Sequence, residues 1–236
     1  MKKNKIKLGM MLLLLALSAP AFAAPAAPQC SVPRLRNLVD DLSDQPATKN
    51  AKLPDADDIV KNSILQKLVT QKPLTQWLGL GWQGPMNGVL FAVTCDDKTL
   101  DAMVVGAVDE IKAGPELPVV GDTVIVSATD ASGTGTLHRS ISIFALKGGK
   151  IASFWHHTLY EDAYVAGSDG DESEFQVTMP NANSIDVTGE HRVYRQIPGA
   201  NDWDKTPYKI QKLHETYCWD NTQSTYAVCK AAPAKH

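Results

Sequence analysis

This 236-residue sequence predicts an α+β fold, with N-terminal helices followed by a mainly antiparallel β-sheet meander stapled by disulfides. Three observations predict it. Apolar residues recur at helical spacing in the first half, as at Leu35, Leu38, Val39 and Leu42. After Pro118 the period becomes two, and Gly-, Ser-, Asp- and Pro-containing breaks divide the chain into short runs. Four cysteines form an even set that suits two disulfides. Helices placed before strands, instead of alternating with them, argue against βαβ units.

The chain opens with a segment that reads as a leader. Lys2, Lys3, Lys5 and Lys7 precede an apolar run over residues 8–17, and Ala21-Phe22-Ala23 supplies a small-x-small cleavage pattern. A positive n-region, a short h-region and such a site describe a secretory signal peptide over residues 1–23. The run is short for a bilayer span, so no membrane span is expected. Its removal would leave 213 residues with 19 basic against 26 acidic side chains, a net charge of −7. That balance argues against a nucleic-acid binder. The expected location is the periplasm, with secretion as the alternative. Residues 24–230 are expected to form one domain, helical over about 31–112 and sheet-rich over about 119–230, with 231–236 as a disordered tail.

Ser31-Val32-Pro33 can cap the first helix. A second is expected from Pro54–Asp58, its acidic residues at the positive end of the dipole, with Val60, Ile64, Leu65 and Leu68 as its apolar stripe. Gly79-Leu80-Gly81-Trp82-Gln83-Gly84 is a literal G-x-G-x-x-G. No strand is predicted before it and Pro85 follows where a helix should open, so it reads as a loop and not a nucleotide site. Residues 89–95 read as a buried strand. Asp96 or Asp97 caps a third helix whose stripe is Leu100, Met103, Val104, Ala107, Val108 and Ile111.

Strands are then expected at 123–129, 137–147, 150–157, 175–179, 184–187, 192–195, 209–219 and 226–230. Gly148-Gly149 is a two-residue hairpin signal. Cys218 and Cys229 flank the turn-rich Asn221-Thr222-Gln223-Ser224. A hairpin centred between Gln223 and Ser224 sets them face to face, which leaves Cys30 to pair with Cys95.

Regular pairing outward from Lys147 and Lys150 places Ile143 opposite Phe154 and Ser142 opposite Trp155. His156 then belongs to the core face, while Trp155, His157 and His138 share a polar one. Two histidines and an acid suggest either a zinc site or a catalytic base, but the zinc-protease helix motif is missing and no metal ligand set or catalytic residue is assigned. Ser168–Glu174 reads as an acidic loop that offers Asp169, Asp171 and Glu172 to a basic protein surface. Its spacing fails the EF-hand pattern. No cofactor is expected. The leading expectation is a non-enzymatic binding protein for another envelope or secreted protein, such as an inhibitor or immunity-type protein of an envelope enzyme. The alternatives are an envelope glycan or peptide hydrolase that uses the His138/His157 face or the carboxylates Asp202, Asp204, Glu215 and Asp220, and a structural or solute-binding accessory.

Overall fold

The computed structural model describes residues 35, 40, 64–68, 76–83, 87–94, 98–132 and 136–229. It contains twelve strands and no helix among them, which corrects the α+β expectation. A four-stranded sheet joins β1 (Ile64–Leu68), β2 (Gln76–Gln83), β3 (Asn87–Thr94) and β4 (Thr99–Val105) in sequence order. An eight-stranded sheet joins β5 (Ala107–Ala113), β6 (Val124–Ser132), β7 (Thr136–Lys147), β8 (Lys150–Ala163), β9 (Gly170–Asn181), β10 (Ser184–Tyr194), β11 (Lys209–Asp220) and β12 (Thr225–Val228), again in sequence order. Every described pair is antiparallel, so the meander extends through both sheets.

The expected third helix is two strands, and bulges explain the mistaken period. An extra residue, Leu100, interrupts the β3–β4 ladder, and Asp109 interrupts β5–β6. Each bulge lengthens the alternation by one position. Buried residues therefore fall three apart, at Thr99 and Ala102 and again at Val108 and Ile111, the same spacing as a helical face. The end of the expected second helix is β1, and the Gly–Trp stretch taken for a loop is β2, which reaches β3 through Gln83 opposite Asn87. The first expected helix and Cys30–Cys95 lie outside the described residues, apart from Leu35, whose φ of 55° does not belong to a right-handed helix, and Asp40, which is helical.

Among the described residues two apolar clusters hold the sheets. One joins Leu68, Leu90 and Ala92 of the smaller sheet to Val108, Ile111, Val124, Val126, Phe144 and Leu146 of the larger. The other lies within the larger sheet. β8 and β9 pair only through Tyr160–Ala163 and Asp171–Glu174. Beyond that seam Ile143 and Trp155 pack in the same cluster as Ile185, Val187 and Tyr226. Thr225 Oγ1 on β12 donates 2.7 Å to the Phe154 carbonyl on β8, linking the two halves.

Gly148 and Gly149 have φ of 61° and 79°, as a type I′ turn requires, and Lys147 faces Lys150 as expected. The ladder then slips. Ile143 pairs with Trp155 and Phe144 with Ser153, leaving Phe154 as a bulge. A one-residue slip exchanges the faces, which moves Trp155 and His157 beside Ile143 and Ile141. Gly189 joins the two strands expected at 184–187 and 192–195. A Cβ there would strike the Glu174 carbonyl and the Phe175 ring.

Tyr226 illustrates what this packing does to ionisable groups. It is 6% exposed and donates 2.6 Å to the Ala182 carbonyl. Burial pushes its phenol up to about 12. Burial likewise raises Tyr160 and Tyr217 to about 12, with help from Asp162 and Glu215, to which their hydroxyls donate. Unfolded tyrosines titrate near pH 10. The folded state keeps these protons longer, so the associated stability is intact below pH 10 and is lost as pH rises from 10 through 12. Urea midpoints measured from pH 8 to 12 should fall steeply over that window. Tyr226→Phe should cost about 1–2 kcal/mol at pH 8, through the unpartnered carbonyl it leaves, and should flatten the alkaline fall.

Candidate functional site

On β9, β10 and β11 the even-numbered residues share one face. Register aligns Glu172 with Arg192 and Ile210, Glu174 with Glu190 and Lys212, and Gln176 with Thr188 and His214. These rows form a cleft of about 580 Å³ lined by Glu174, Gln176, Thr188, Glu190, Lys212 and His214, with Arg192 at one end.

Arg192 organises the charge. Its Nη1 donates 2.7 Å to Glu172 and 3.5 Å to Glu174, while Nη2 donates 3.1 Å to Glu190. Hydrogen bonds to Glu172 and Glu190 raise its affinity for its proton. Glu172 also accepts from Tyr164 at 3.3 Å and Tyr194 at 3.5 Å. Burial is the main cause that raises both phenols, and the Glu172 charge adds to it. An aromatic border runs from Tyr194 through Tyr164 to Trp203, whose ring stands 5.1 Å from Tyr164 and whose Nε1 donates to the Ser168 carbonyl.

The acidic stretch expected as a free loop is thereby corrected. From Gly170 onward it is β9, and its carboxylates already have partners. Asp169 accepts 2.7 Å from Tyr208, a bond that raises that phenol. Asp171 lies 3.3 Å from His191 Nε2, whose Nδ1 meets Ser173 Oγ at 3.0 Å. Glu172 is held by Arg192.

Trp155 and His157 lie together as expected, but on the core face and apart from His138. Trp155 is 5% exposed and stacks on His157 at 5.7 Å, with Tyr217 edge-on at 5.6 Å. Its Nε1 is buried with no hydrogen-bond partner among the described residues. His157 packs between Trp155 and Phe175. His138 lies on the opposite face of β7, with Nε2 3.2 Å from Thr158 Oγ1. On that side His156, expected in the core, is exposed and meets Ser142 Oγ at 2.9 Å beside a recess of about 160 Å³. Two C-terminal carboxylates are also committed locally. Glu215 accepts from Tyr217, and Asp220 accepts from the backbone of Thr222 and Gln223. Among the described residues no three His, Cys, Asp or Glu side chains are grouped to hold a metal ion, and no helix is long and apolar enough to cross a membrane.

Sequence reasoning named Glu174 only as the end of the acidic stretch, and it missed Arg192, Glu190, Lys212 and His214. The available signal was the turn at Ala182-Asn183, which gives the β9–β10 pairing to within one residue; the bulge between Ser184 and Asp186 then sets Glu190 opposite Glu174. Gly189, read as a break, hid it.

The fold and cleft define an antiparallel, disulfide-tied β protein with a charged sheet face. The chain matches no protein-family model, and neither the curated proteins nor the solved structures contain a significant match to it.

Proposed function

We propose that this chain is an exported, non-enzymatic binding protein that engages another envelope or secreted protein through the charged face of β9–β11. The observation that carries the reading is the cleft itself. Its lining comes from neighbouring strands of one sheet, and Arg192 is pre-set by three carboxylates, so little ordering is lost on binding. Arginine, tyrosine and tryptophan are the side chains that most often anchor protein interfaces. Exposed Ile210, 53% accessible and opposite Arg192 in the β10–β11 register, extends the surface. Export rests on the lysine-rich leader, and the Cys218–Cys229 bridge suits an oxidising compartment. Inhibition of an envelope enzyme is the form of binding we favour, because a rigid charged face can cover a catalytic cleft.

The test is affinity capture by the mature, oxidised protein from envelope extract at low salt, with Glu174→Lys in parallel. Glu174 is a rim residue, and Arg192 keeps Glu172 and Glu190 without it. The expected result is one stoichiometric partner whose association slows about tenfold with the variant. Capture of no stoichiometric partner by folded protein, or identical association by both forms, would overturn the reading.

A further inference from the structure

β11 is twelve residues long, but β12 pairs with only four of them, Tyr217–Asp220. One more hydrogen bond closes this side, from the Cys229 amide to the Thr216 carbonyl at 2.8 Å. That bond fixes which backbone groups point outward. Alternation along a strand sends the amides and carbonyls of Ile210, Lys212 and His214 to the same side as Thr216. The intervening residues turn theirs toward β10, as the Trp219 amide does in donating to Asn183. No described strand covers the outward groups, and Ile210, Lys212 and His214 are all exposed. An open edge of this length is a template for one more strand.

The side chains beside the edge say what would fit. Lys212 and His214 line the charged cleft, so a strand added here would lay alternate side chains along its rim. Lys209 and Lys212 make the edge locally cationic, and Lys212 has no ion pair among the described residues. Directly opposed residues of opposite charge stabilise a strand pair, and like charges weaken it. Two occupants close at hand are disfavoured on these grounds. Residues 230–236, continued in the β12 register, would put Pro233 opposite Lys212, where it offers no N–H, and would bring Lys235 beside Lys209. A second copy paired about Lys212 would set lysine against lysine.

We infer that the edge of β11 from Ile210 to His214 receives an extended, acidic segment of a partner protein as an added antiparallel strand, with an acid opposite Lys212 and an apolar residue opposite Ile210. The inference rests on the protein-binding reading above and gives it a mode. Main-chain hydrogen bonds supply affinity in such complexes, and alternate side chains supply selectivity.

The experiment follows backbone amide exchange by NMR in the mature, oxidised protein. Its probes are two capped nine-residue peptides, one alternating valine with glutamate and the other valine with lysine. In the free protein the amides of Ile210, Lys212 and His214 should exchange fast, and those of Gln211 and Leu213 slowly. The glutamate peptide should protect the three fast amides, and the lysine peptide should not. Lys212→Glu should weaken the glutamate peptide about tenfold and reverse the preference. His214→Pro, which deletes one outward N–H while leaving the β10 side intact, should weaken it independently of charge. Protection of these amides without peptide would show the edge occupied by the tail or a second copy and would overturn the inference. So would failure of the glutamate peptide to protect them, or equal binding of both peptides. An envelope partner sensitive to Glu174→Lys but indifferent to His214→Pro would sink strand addition and leave the protein-binding reading standing.

Discussion

Replacing Trp155 by alanine should cost about 3–5 kcal/mol of folding stability, the range found for large aromatic truncations in cores. Trp155 is 5% exposed and sits among Ile143, Phe154, Ile185 and Tyr217. Truncation removes its stack on His157 and its edge contact with Tyr217, and leaves a void where the two halves of the larger sheet meet. A tryptophan on a polar contact surface, the role expected from regular hairpin pairing, would shift stability by no more than about 0.5 kcal/mol. Urea denaturation separates the two, because the core role moves the midpoint at constant slope. Trp155→Phe refines the test. Phenylalanine keeps most of the apolar contact and removes the indole N–H, which is buried without a partner. Its cost should stay below about 1.5 kcal/mol, since a buried donor that makes no bond contributes nothing when kept. A phenylalanine variant as unstable as the alanine one would mean that the indole N–H is satisfied in solution.

The same residue shows where sequence reasoning ends. Gly148-Gly149 announced its turn and the Lys147–Lys150 pair correctly, because positive φ at both positions is a local demand that glycine meets. The face of Trp155 depended on whether Phe154 is paired or bulged, a choice made by packing across the sheet. The helical pattern at Leu100–Ile111 failed for a related reason. Two bulges spaced the buried residues by three, so a period that reports a helix in a regular element was produced by irregular strands. Alternation after Pro118 was legible because most of those strands bury one row against an apolar cluster. Of the candidate site, Glu172 and Glu174 were visible as acidic residues. Their meaning came from Arg192, about 20 positions away, which only the β9–β10 register brings alongside.

The cysteine arithmetic succeeded in part, and its result carries the second large effect. Cys218 and Cys229 are bonded, with Cα atoms 5.0 Å apart. The register differs from the expected one. Ala227 faces Cys218, and Cys229 lies two residues further, past the end of β12, so the bridge runs diagonally. Removing both sulfurs as Cys218→Ser with Cys229→Ser should cost roughly 3 kcal/mol, the chain-entropy value for a loop of this length. The pair must be changed together, because a lone thiol would be free to exchange with Cys30 or Cys95. β12 is short enough that hairpin pairing alone holds it marginally. Its other ties are Thr225 to the Phe154 carbonyl, Tyr226 to the Ala182 carbonyl and the Trp219–Tyr226 ring contact at 5.3 Å. Loss of the bridge should therefore appear first as rapid exchange of the β12 amides and the Cys229 amide, ahead of the global transition. Release of that end would expose the rest of β11 and lengthen the open edge toward Asp220. The double variant should then self-associate at concentrations where the oxidised protein remains monomeric, read by sedimentation velocity. A variant that stays monomeric and keeps its β12 amides protected would show that Thr225, Tyr226 and Trp219 hold the strand without the disulfide, and that the bridge acts only on the unfolded chain.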